Sequence, residues 1–330
     1  MSISLCLIGC GGHAHQVYAD ALVQYAAVVG GVRLAACCDV DAGRAASFQA
    51  KAGFAHSDTD YHAMLARERP DAVVLVTPFQ HTARIAVDVI EHGCHIMLEK
   101  PPGKDMADYS VIAEAVARRR PINMVAFNRR NAPIVKQVMS LLYGEKPLAV
   151  QHIEYQMYRY DRREAHFHTT AIHGIDMIGH IARAPYAQLD IAYATQPRFG
   201  QGVDNLLLHG RFANGITTQQ SYCPVAGLRM ERMTIAADDT TLYVETPIWH
   251  GPDFPGIIKL YQRDALVQVI TGQELPGGQA LFETDGFYGQ LCEFLTAVKR
   301  GEPTPNDIHS ALDAMKISDC LAARETTYRG

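Results

Sequence analysis

Hydrophobic positions in the first part of the chain alternate between short apolar runs and amphipathic stretches. Residues 3–8 form a β-rich run that ends at Gly9, and residues 71–77 are continuously apolar after Asp71, as expected of a strand buried on both faces. Alternating strands and helices predict a doubly wound parallel sheet. The predicted strands are 3–8, 34–38, 71–77, 95–98 and 122–127, and the predicted helices are 14–28, 44–51, 61–67, 82–92 and 105–119.

The pattern changes after about residue 125. One helix, at 134–142, precedes long stretches in which apolar and polar residues alternate, and Asn214-Gly215 is a hairpin turn signal. This half predicts a mostly antiparallel, open sheet, followed by two closing helices at 287–300 and 307–324. The α/β chain is therefore expected to divide into domains at 1–124 and 125–330. The alternating stretches are 148–159, 187–195, 204–223, 231–246 and 258–271.

Composition and charge exclude several classes of function. The 330 residues include 30 Lys and Arg against 35 Asp and Glu, a formal charge of −5, so no basic excess is available for nucleic acid. Apolar stretches break at charges, Gly or Pro well before the ~18 residues that a membrane span needs. The N-terminus lacks the positive region of an export signal and resembles a first strand. A cytoplasmic protein is expected.

Cysteine and histidine spacing indicates neither a disulfide framework nor a metal site. Most of the eight cysteines lie inside apolar runs, and no Cys-x-x-Cys pair occurs, so reduced thiols are expected. Two His-x-His pairs, His13/His15 and His166/His168, allow a metal interpretation. Neither pair has a companion Cys or carboxylate at ligand spacing, and no metal is expected.

A glycine-rich turn follows the first predicted strand. Gly9-Cys-Gly11-Gly12-His13-Ala14 fits G-x-G-x-x-[G/A], and it opens a helix in a βαβ unit. The first glycine permits a tight turn, the second lets the backbone approach a pyrophosphate, and Ala14 lets the helix pack on the strand. A diphosphate would then lie at the helix N-terminus. A plain strand–turn–helix corner is the alternative.

The second strand ends at Asp39, where a carboxylate can accept hydrogen bonds from ribose hydroxyls. An acid at this position repels a 2′-phosphate, which favours NAD over NADP. Arg44 lies five residues further on and would weaken that preference, so NADP stays open.

Three further segments and the end of the chain resemble one family. Thr77-Pro78-Phe-Gln-His81 is similar to its T-P-N-x-x-H segment, Glu99-Lys100-Pro101 to its E-K-P segment, and Phe127-Asn128-Arg129-Arg130 to the start of its second domain. Together with the glycine turn and Ala171-Ile-His173-Gly-Ile-Asp176, they resemble the glucose–fructose oxidoreductase and inositol dehydrogenase (Gfo/Idh/MocA) family. The closing helices fit as well.

The resemblance implies a Rossmann domain followed by a domain for substrate binding and oligomerisation, whose large sheet forms homodimers or homotetramers. It implies oxidoreduction of sugars, polyols or related substrates, with the nicotinamide against Glu99-Lys100-Pro101. Lys100 would hydrogen-bond the reacting oxygen and His173 would act as acid or base. The implied cofactor contacts also include Thr77, Pro78, His81 and Asn128, and Arg129 is an implied substrate contact.

Hydride transfer from a carbinol carbon requires removal of the hydroxyl proton, which a histidine titrating near neutral pH performs well. An ammonium group beside the oxygen stabilises the developing alkoxide. Lys100 and His173 supply both groups. The alternatives are an exposed loop lysine for Lys100 and a core histidine for His173, while His180 is interpreted as a scaffold residue.

The sequence departs from the family where many sugar dehydrogenases have an aspartate four residues before the histidine. Here that residue is Thr169, which can hydrogen-bond a hydroxyl but cannot stabilise an imidazolium by charge. Asp176 is a candidate orienter of His173, because three residues apart is one helical face. A basic and aromatic stretch from Tyr158 to His168 either selects an anionic substrate or is a solvated loop. Its candidate substrate contacts are Tyr158 and His168, beside Thr169 and His173.

An NAD(P)-dependent dehydrogenase of a sugar-like substrate is the leading hypothesis. A second is an enzyme that retains its cofactor and shuttles hydride with no net turnover of NAD. A third is a non-catalytic, cofactor-binding regulatory protein, for which Thr169 is the only support.

Overall fold

The computed structural model describes residues 2–330, which group into two compact units. The first unit comprises the residues up to Asn128 together with Phe287–Met315, and the second comprises Arg129–Gly286 and Lys316–Gly330. The strands are β1 Ile3–Ile8, β2 Val32–Cys38, β3 His56–Asp58, β4 Ala72–Leu75, β5 His95–Glu99, β6 Asn123–Ala126, β7 His152–Tyr158, β8 Tyr186–Thr195, β9 Asp204–Phe212, β10 Thr217–Cys223, β11 Met230–Ala237, β12 Thr240–Thr246, β13 Ile257–Gln262, β14 Ala265–Thr271 and β15 Thr327–Arg329. The α-helices are α1 Ala19–Val28, α2 Ala42–Ala52, α3 Tyr61–Glu68, α4 Phe79–Glu91, α5 Met106–Arg119, α6 Pro133–Tyr143, α7 His168–Ala182, α8 Leu281–Thr284, α9 Phe287–Arg300 and α10 Leu312–Ala322.

The first unit contains a six-stranded parallel sheet with the order β3-β2-β1-β4-β5-β6. The predicted doubly wound sheet is thereby confirmed. Aspartate side chains cap the N-termini of three of its helices. Asp41, Asp60 and Asp105 accept hydrogen bonds from backbone N–H groups in the first turns of α2, α3 and α5. Strand β3 is absent from the sequence prediction because its three residues, His-Ser-Asp, are polar and show no apolar pattern.

The second unit contains a nine-stranded sheet with the order β14-β13-β12-β11-β7-β10-β9-β8-β15. Only β7 and β10 pair in parallel, and the other neighbours are antiparallel, so the predicted mostly antiparallel sheet is confirmed. Gly215, with φ of 89°, supplies the left-handed residue in the predicted β9–β10 hairpin. Helix α7 packs on β7, where a Cβ on Gly174 would lie 2.4 Å from the Tyr155 ring.

The closing helices are expected in the second domain, whereas α9 packs within the first unit. Gln290 Nε2 donates to the Tyr18 hydroxyl at 3.0 Å, and Phe294 and Leu295 are fully buried. The apolar face of α9 covers α1 and the parallel sheet, which no pattern in the sequence indicates. The domain boundaries drawn from the sequence, and the division of roles between the domains, stay predictions.

Candidate dinucleotide and catalytic sites

The glycine turn lies at the carboxyl end of β1, where β2 and β4 flank the strand on opposite sides. Gly9 has φ of 99°, and a Cβ there would lie 2.2 Å from the carbonyl oxygen of Val76, so only glycine fits. By contrast, a Cβ on Gly11 or Gly12 would meet no atom within 4 Å. The turn therefore presents bare backbone to open space at the switch point of a doubly wound sheet, where such folds bind dinucleotides.

Asp39, directly after β2, is hydrogen-bonded to the backbone of this turn. Its Oδ2 accepts from the backbone N–H of Cys10 at 2.8 Å, and its Oδ1 accepts from that of Asp41 at 3.0 Å. Arg44 does not contact this carboxylate: its Nε lies 3.7 Å from Asp41 Oδ2, and its side chain is 62% exposed. The carboxylate at the end of β2 and the open glycine turn fit the adenosine and diphosphate parts of NAD.

Strand β5 ends at Glu99, a residue that is 8% exposed. The Tyr18 hydroxyl donates to Glu99 Oε1 at 2.5 Å, and Nε2 of the half-exposed His13 lies 3.2 Å from the same oxygen. Burial opposes the charge on Glu99, but the nearby His13 and Lys100, with these hydrogen bonds, outweigh burial and lower its pKa. Lys100 follows directly and is half-buried.

The remaining predicted cofactor contacts follow the ends of the parallel strands. Thr77 is half-buried, with its Oγ1 3.4 Å from Thr82 Oγ1, and the exposed Pro78 precedes the first residue of α4. His81 is exposed on the first turn of α4, and Pro101 is buried beyond β5. Asn128 is buried beyond β6. Because the carboxyl ends of parallel strands share one edge, these residues lie along the same edge as the glycine turn.

In the second unit, the predicted catalytic residues Thr169, His173 and Asp176 are all buried on α7. The Thr169 hydroxyl donates to the His166 carbonyl at 2.9 Å. Both oxygens of Asp176 accept from the guanidinium of Arg130, at 2.8 and 2.5 Å. Burial raises the pKa of Asp176, and the charge of Arg130 opposes that rise. The proposed action of Asp176 on His173 stays a prediction.

Arg129 belongs to a buried ion cluster. Its Nε and Nη2 donate to Glu231 at 2.7 and 2.6 Å, and Arg159 donates to the same carboxylate. Although burial opposes ionisation, the two arginines lower the pKa of Glu231 to about 2. The cluster gives Arg129 a structural contact, so its role in substrate binding stays a prediction. Sequence reasoning missed Glu231 because it lies 102 and 72 residues after its two partners, so no local spacing connects them.

The two remaining predicted substrate contacts lie where β7 leads towards α7. Tyr158 is half-buried at the end of β7, and its carbonyl accepts from Arg159 Nη1 at 2.8 Å. Nδ1 of His168 lies 3.0 Å from the Ser318 hydroxyl. Burial lowers the pKa of His168 to about 4, so this imidazole is neutral at neutral pH.

Asp285 is a buried acid that the sequence patterns did not indicate. Its Oδ2 accepts from the backbone N–H of Trp249 at 2.9 Å, and the residue is 3% exposed. Burial raises the pKa of Asp285 to about 7.

No group of three or more His, Cys, Asp or Glu among residues 2–330 is arranged to hold a metal ion. In the same range, no helix combines the length and apolar content needed to cross a membrane.

The strand order, the glycine turn and Asp39 define a Rossmann-type dinucleotide-binding unit. Residues 3–127 match the Gfo/Idh/MocA family model, described as an oxidoreductase family with an NAD-binding Rossmann fold. The match confirms the resemblance drawn from the sequence motifs and, at the level of the family, the expectation of NAD.

The relatives are similar to part of the chain. A 4-carboxy-2-hydroxymuconate-6-semialdehyde dehydrogenase of Sphingobium sp. is 32% identical over 41% of this chain and 42% of its own length. Inositol 2-dehydrogenase 2 of Saccharopolyspora erythraea is 29% identical over 43% of this chain and 41% of its own. These alignments span less than half of either relative.

The fold extends over the whole chain. A levoglucosan dehydrogenase in complex with NADH superposes with a TM-score of 0.81 at 18% identity, covering 100% of this chain and 99% of that one.

Proposed function

We propose that the protein is an NAD-dependent dehydrogenase or reductase that acts on a hydroxyl-bearing or keto carbon of a sugar, polyol or sugar derivative. The observation that supports this most is the common position of the glycine turn, Asp39 and Glu99-Lys100. All lie at or directly after the carboxyl ends of strands in one parallel sheet. The partial likeness to inositol 2-dehydrogenase and the shared fold of a levoglucosan dehydrogenase support the same substrate class.

The chain's own residues divide the chemistry as follows. NAD, when bound, supplies the carbon that accepts or donates hydride. Lys100 donates a hydrogen bond to the reacting oxygen and stabilises its negative charge. His173 takes up or returns the hydroxyl proton. Thr169 hydrogen-bonds a substrate hydroxyl, and Asp176 orients His173, which lies three residues earlier on the same helix.

The proposal extends to assembly and location. Tyr243, Leu207 and Val269 are 48%, 46% and 43% exposed on strands of the open sheet, an arrangement that fits a homodimer or homotetramer formed through this sheet. All eight cysteines are free thiols, which fits the reducing cytoplasm. The sheet-containing second domain would bind the substrate as well as the partner subunit.

The first test is a fluorescence titration of the purified protein with NADH and NADPH, followed by a turnover assay with NAD and a panel of sugars and polyols. We expect NADH to bind at micromolar concentration or tighter and NADPH at least ~10-fold more weakly, a difference of about 1.4 kcal/mol. Absence of binding by either nucleotide would contradict the proposal. Binding without turnover of any member would favour the non-catalytic alternative, and cofactor that survives dialysis would favour hydride shuttling.

A further inference from the structure

Three loops of the second unit gather at one edge of the nine-stranded sheet. They comprise residues 159–168 after β7, 196–203 between β8 and β9, and 224–229 between β10 and β11, and together they are called the basic edge. The strand registers place them at the same strand ends, because Tyr158 pairs with both Cys223 and Met230, and Leu206 near the start of β9 pairs with Tyr222 near the end of β10. The Arg159 carbonyl accepts from the N–H of Ala226 at 2.6 Å, which joins two of the loops.

The basic edge has an excess of positive charge in an acidic protein. It contains five arginines and two carboxylates, whereas the whole chain has a formal charge of −5. The three arginines of the first loop are ion-paired: Arg159 with Glu231, a carboxylate that it shares with Arg129, Arg162 with Glu164 and Arg163 with Asp161. His168 adds no charge at neutral pH. The other two arginines, Arg198 and Arg229, form no ion pair with any carboxylate of residues 2–330.

Both of these guanidinium groups lie on aromatic rings. Arg229 stacks over Tyr160 with 4.8 Å between its Cζ and the ring centroid, and its Nη2 donates to the Tyr160 hydroxyl at 2.6 Å. Tyr160 is itself 49% exposed. Arg198 stacks over Phe199 at 4.5 Å. A stacked guanidinium keeps its planar donor fork in a fixed orientation, so it loses less entropy when it binds a carboxylate or phosphate.

The basic edge leads directly into the helix of the proposed catalytic histidine. Residue 168, the last of the first loop, begins α7, and Arg162 Nη2 donates to the Thr170 hydroxyl at 3.0 Å, one turn before His173. The first loop of the basic edge is therefore joined, by the chain and by this hydrogen bond, to the helix that carries His173.

We propose that the substrate carries an anionic group, a carboxylate or a phosphate, and that Arg198 and Arg229 of the basic edge bind it. This inference rests on the proposed function and narrows its substrate class from neutral sugars to sugar acids or sugar phosphates. From the sequence alone, Arg162 and Arg163 of the basic stretch would be the first candidates for anion ligands. Both are paired with carboxylates, so the proposal assigns the anion to two arginines from other loops.

The test compares glucose, glucuronate and glucose 6-phosphate with the NADH-loaded protein, by thermal shift for binding and with NAD by turnover. We expect one or both anionic sugars to bind at least ~10-fold more tightly than glucose, as charge-assisted hydrogen bonds provide. Binding should weaken as salt is raised. Glucuronate and glucose 6-phosphate distinguish a carboxylate site from a phosphate site.

Two variants, Arg198→Gln and Arg229→Gln, should each reduce that preference at least ~5-fold with little effect on NADH binding. Arg263→Gln is the matched control, because Arg263 lies in the β13–β14 turn at the opposite edge of the sheet and is 83% exposed. The inference is overturned if glucose binds as well as its anionic forms, if neither anion binds, or if the two variants match the control. Failure of the proposed function is distinguished by a different result: NADH itself does not bind, regardless of whether glucuronate or glucose 6-phosphate binds.

Discussion

Glu99 Oε1 accepts a hydrogen bond from the Tyr18 hydroxyl at 2.5 Å, on the residue immediately before Lys100. Tyr18 ends the π-helical turn Ala14–Tyr18 that follows the glycine motif, and His13 approaches the same oxygen. A buried negative charge therefore connects the first helix of the dinucleotide site to the proposed catalytic lysine. Because this charge acts on Lys100 as well as on His13, it favours the protonated ammonium.

Glu99→Gln removes this charge while retaining the size of the side chain. We expect Lys100 to lose its proton at lower pH, so the alkaline limb of the kcat/KM profile should move to lower pH. Tyr18→Phe is the matched control, because it removes the hydrogen bond and keeps the charge. An alkaline limb that moves equally in both variants would assign Glu99 a purely structural role.

Lys100→Ala tests the proposed donor to the reacting oxygen. We expect turnover to fall at least ~100-fold, a usual magnitude for groups that assist proton transfer. NADH affinity should change little, because the glycine turn and Asp39 are unaltered. Steady-state turnover and NADH titration on the same preparation give both values. Turnover close to that of the wild type would remove Lys100 from the mechanism.

Asp39→Ala tests the preference for NAD. The carboxylate repels a 2′-phosphate and accepts ribose hydroxyls, so its loss should weaken NADH at least ~10-fold, or about 1.4 kcal/mol, and bring NADPH closer to NADH. Asp41→Ala is the control: Asp41 begins α2 by accepting from Gly43 and Arg44, so its loss should cost about 1 kcal/mol of stability and leave the preference unchanged. An unchanged ratio of NADH to NADPH affinity in Asp39→Ala would contradict the assignment.

The parallel sheet and the glycine turn were predictable because their signals are local. A buried strand, Gly9 and Asp39 lie within about 30 residues, and their chemistry follows from position in a βαβ unit. The partners of Asp176 and Arg129 were not predictable. Arg130 lies 46 residues before Asp176, and Glu231 lies 102 residues after Arg129, so only the folded sheet and helix bring them together.

The end of the chain illustrates the same limit. The helical period of residues 287–300 predicts α9 with its bounds, but amphipathicity does not identify the surface that a helix covers. Similarly, the run Tyr158 to His168 identifies a basic loop but not its internal ion pairs. Because Arg162 and Arg163 are paired in this way, the arginines of the basic edge that form no ion pair are Arg198 and Arg229, which lie on other loops.

The buried pair of Arg130 and Asp176 should be costly to break from one side. Arg130→Met or Asp176→Leu alone leaves the other buried group without its opposite charge, and we expect a loss of about 3–5 kcal/mol in the free energy of unfolding. The double variant Arg130→Met, Asp176→Leu should lose much less than the sum, because no uncompensated charge remains. Urea unfolding of the four proteins gives the coupling energy, and strictly additive losses would contradict a paired interaction.

Asp285 should make stability depend on pH in the opposite sense from an ion-paired acid. Burial raises its pKa in the folded protein to about 7 from an ordinary value of 3.8, so the folded state binds the proton more tightly than the unfolded state. Stability from this group is complete below about pH 4 and is lost as the pH rises towards 7. Asp285→Asn cannot ionise and retains an oxygen for the Trp249 N–H.

We therefore expect Asp285→Asn to raise Tm relative to the wild type at pH 8.5 by several degrees more than at pH 5. Each unit by which burial raises the pKa of Asp285 corresponds to about 1.4 kcal/mol of stability, and this sets the upper limit of the difference between the two proteins. Comparing the two proteins at each pH cancels the titration of all other groups. Thermal unfolding followed by circular dichroism at both pH values measures it. A difference in Tm that is the same at pH 5 and pH 8.5 would show that Asp285 remains ionised in the folded protein.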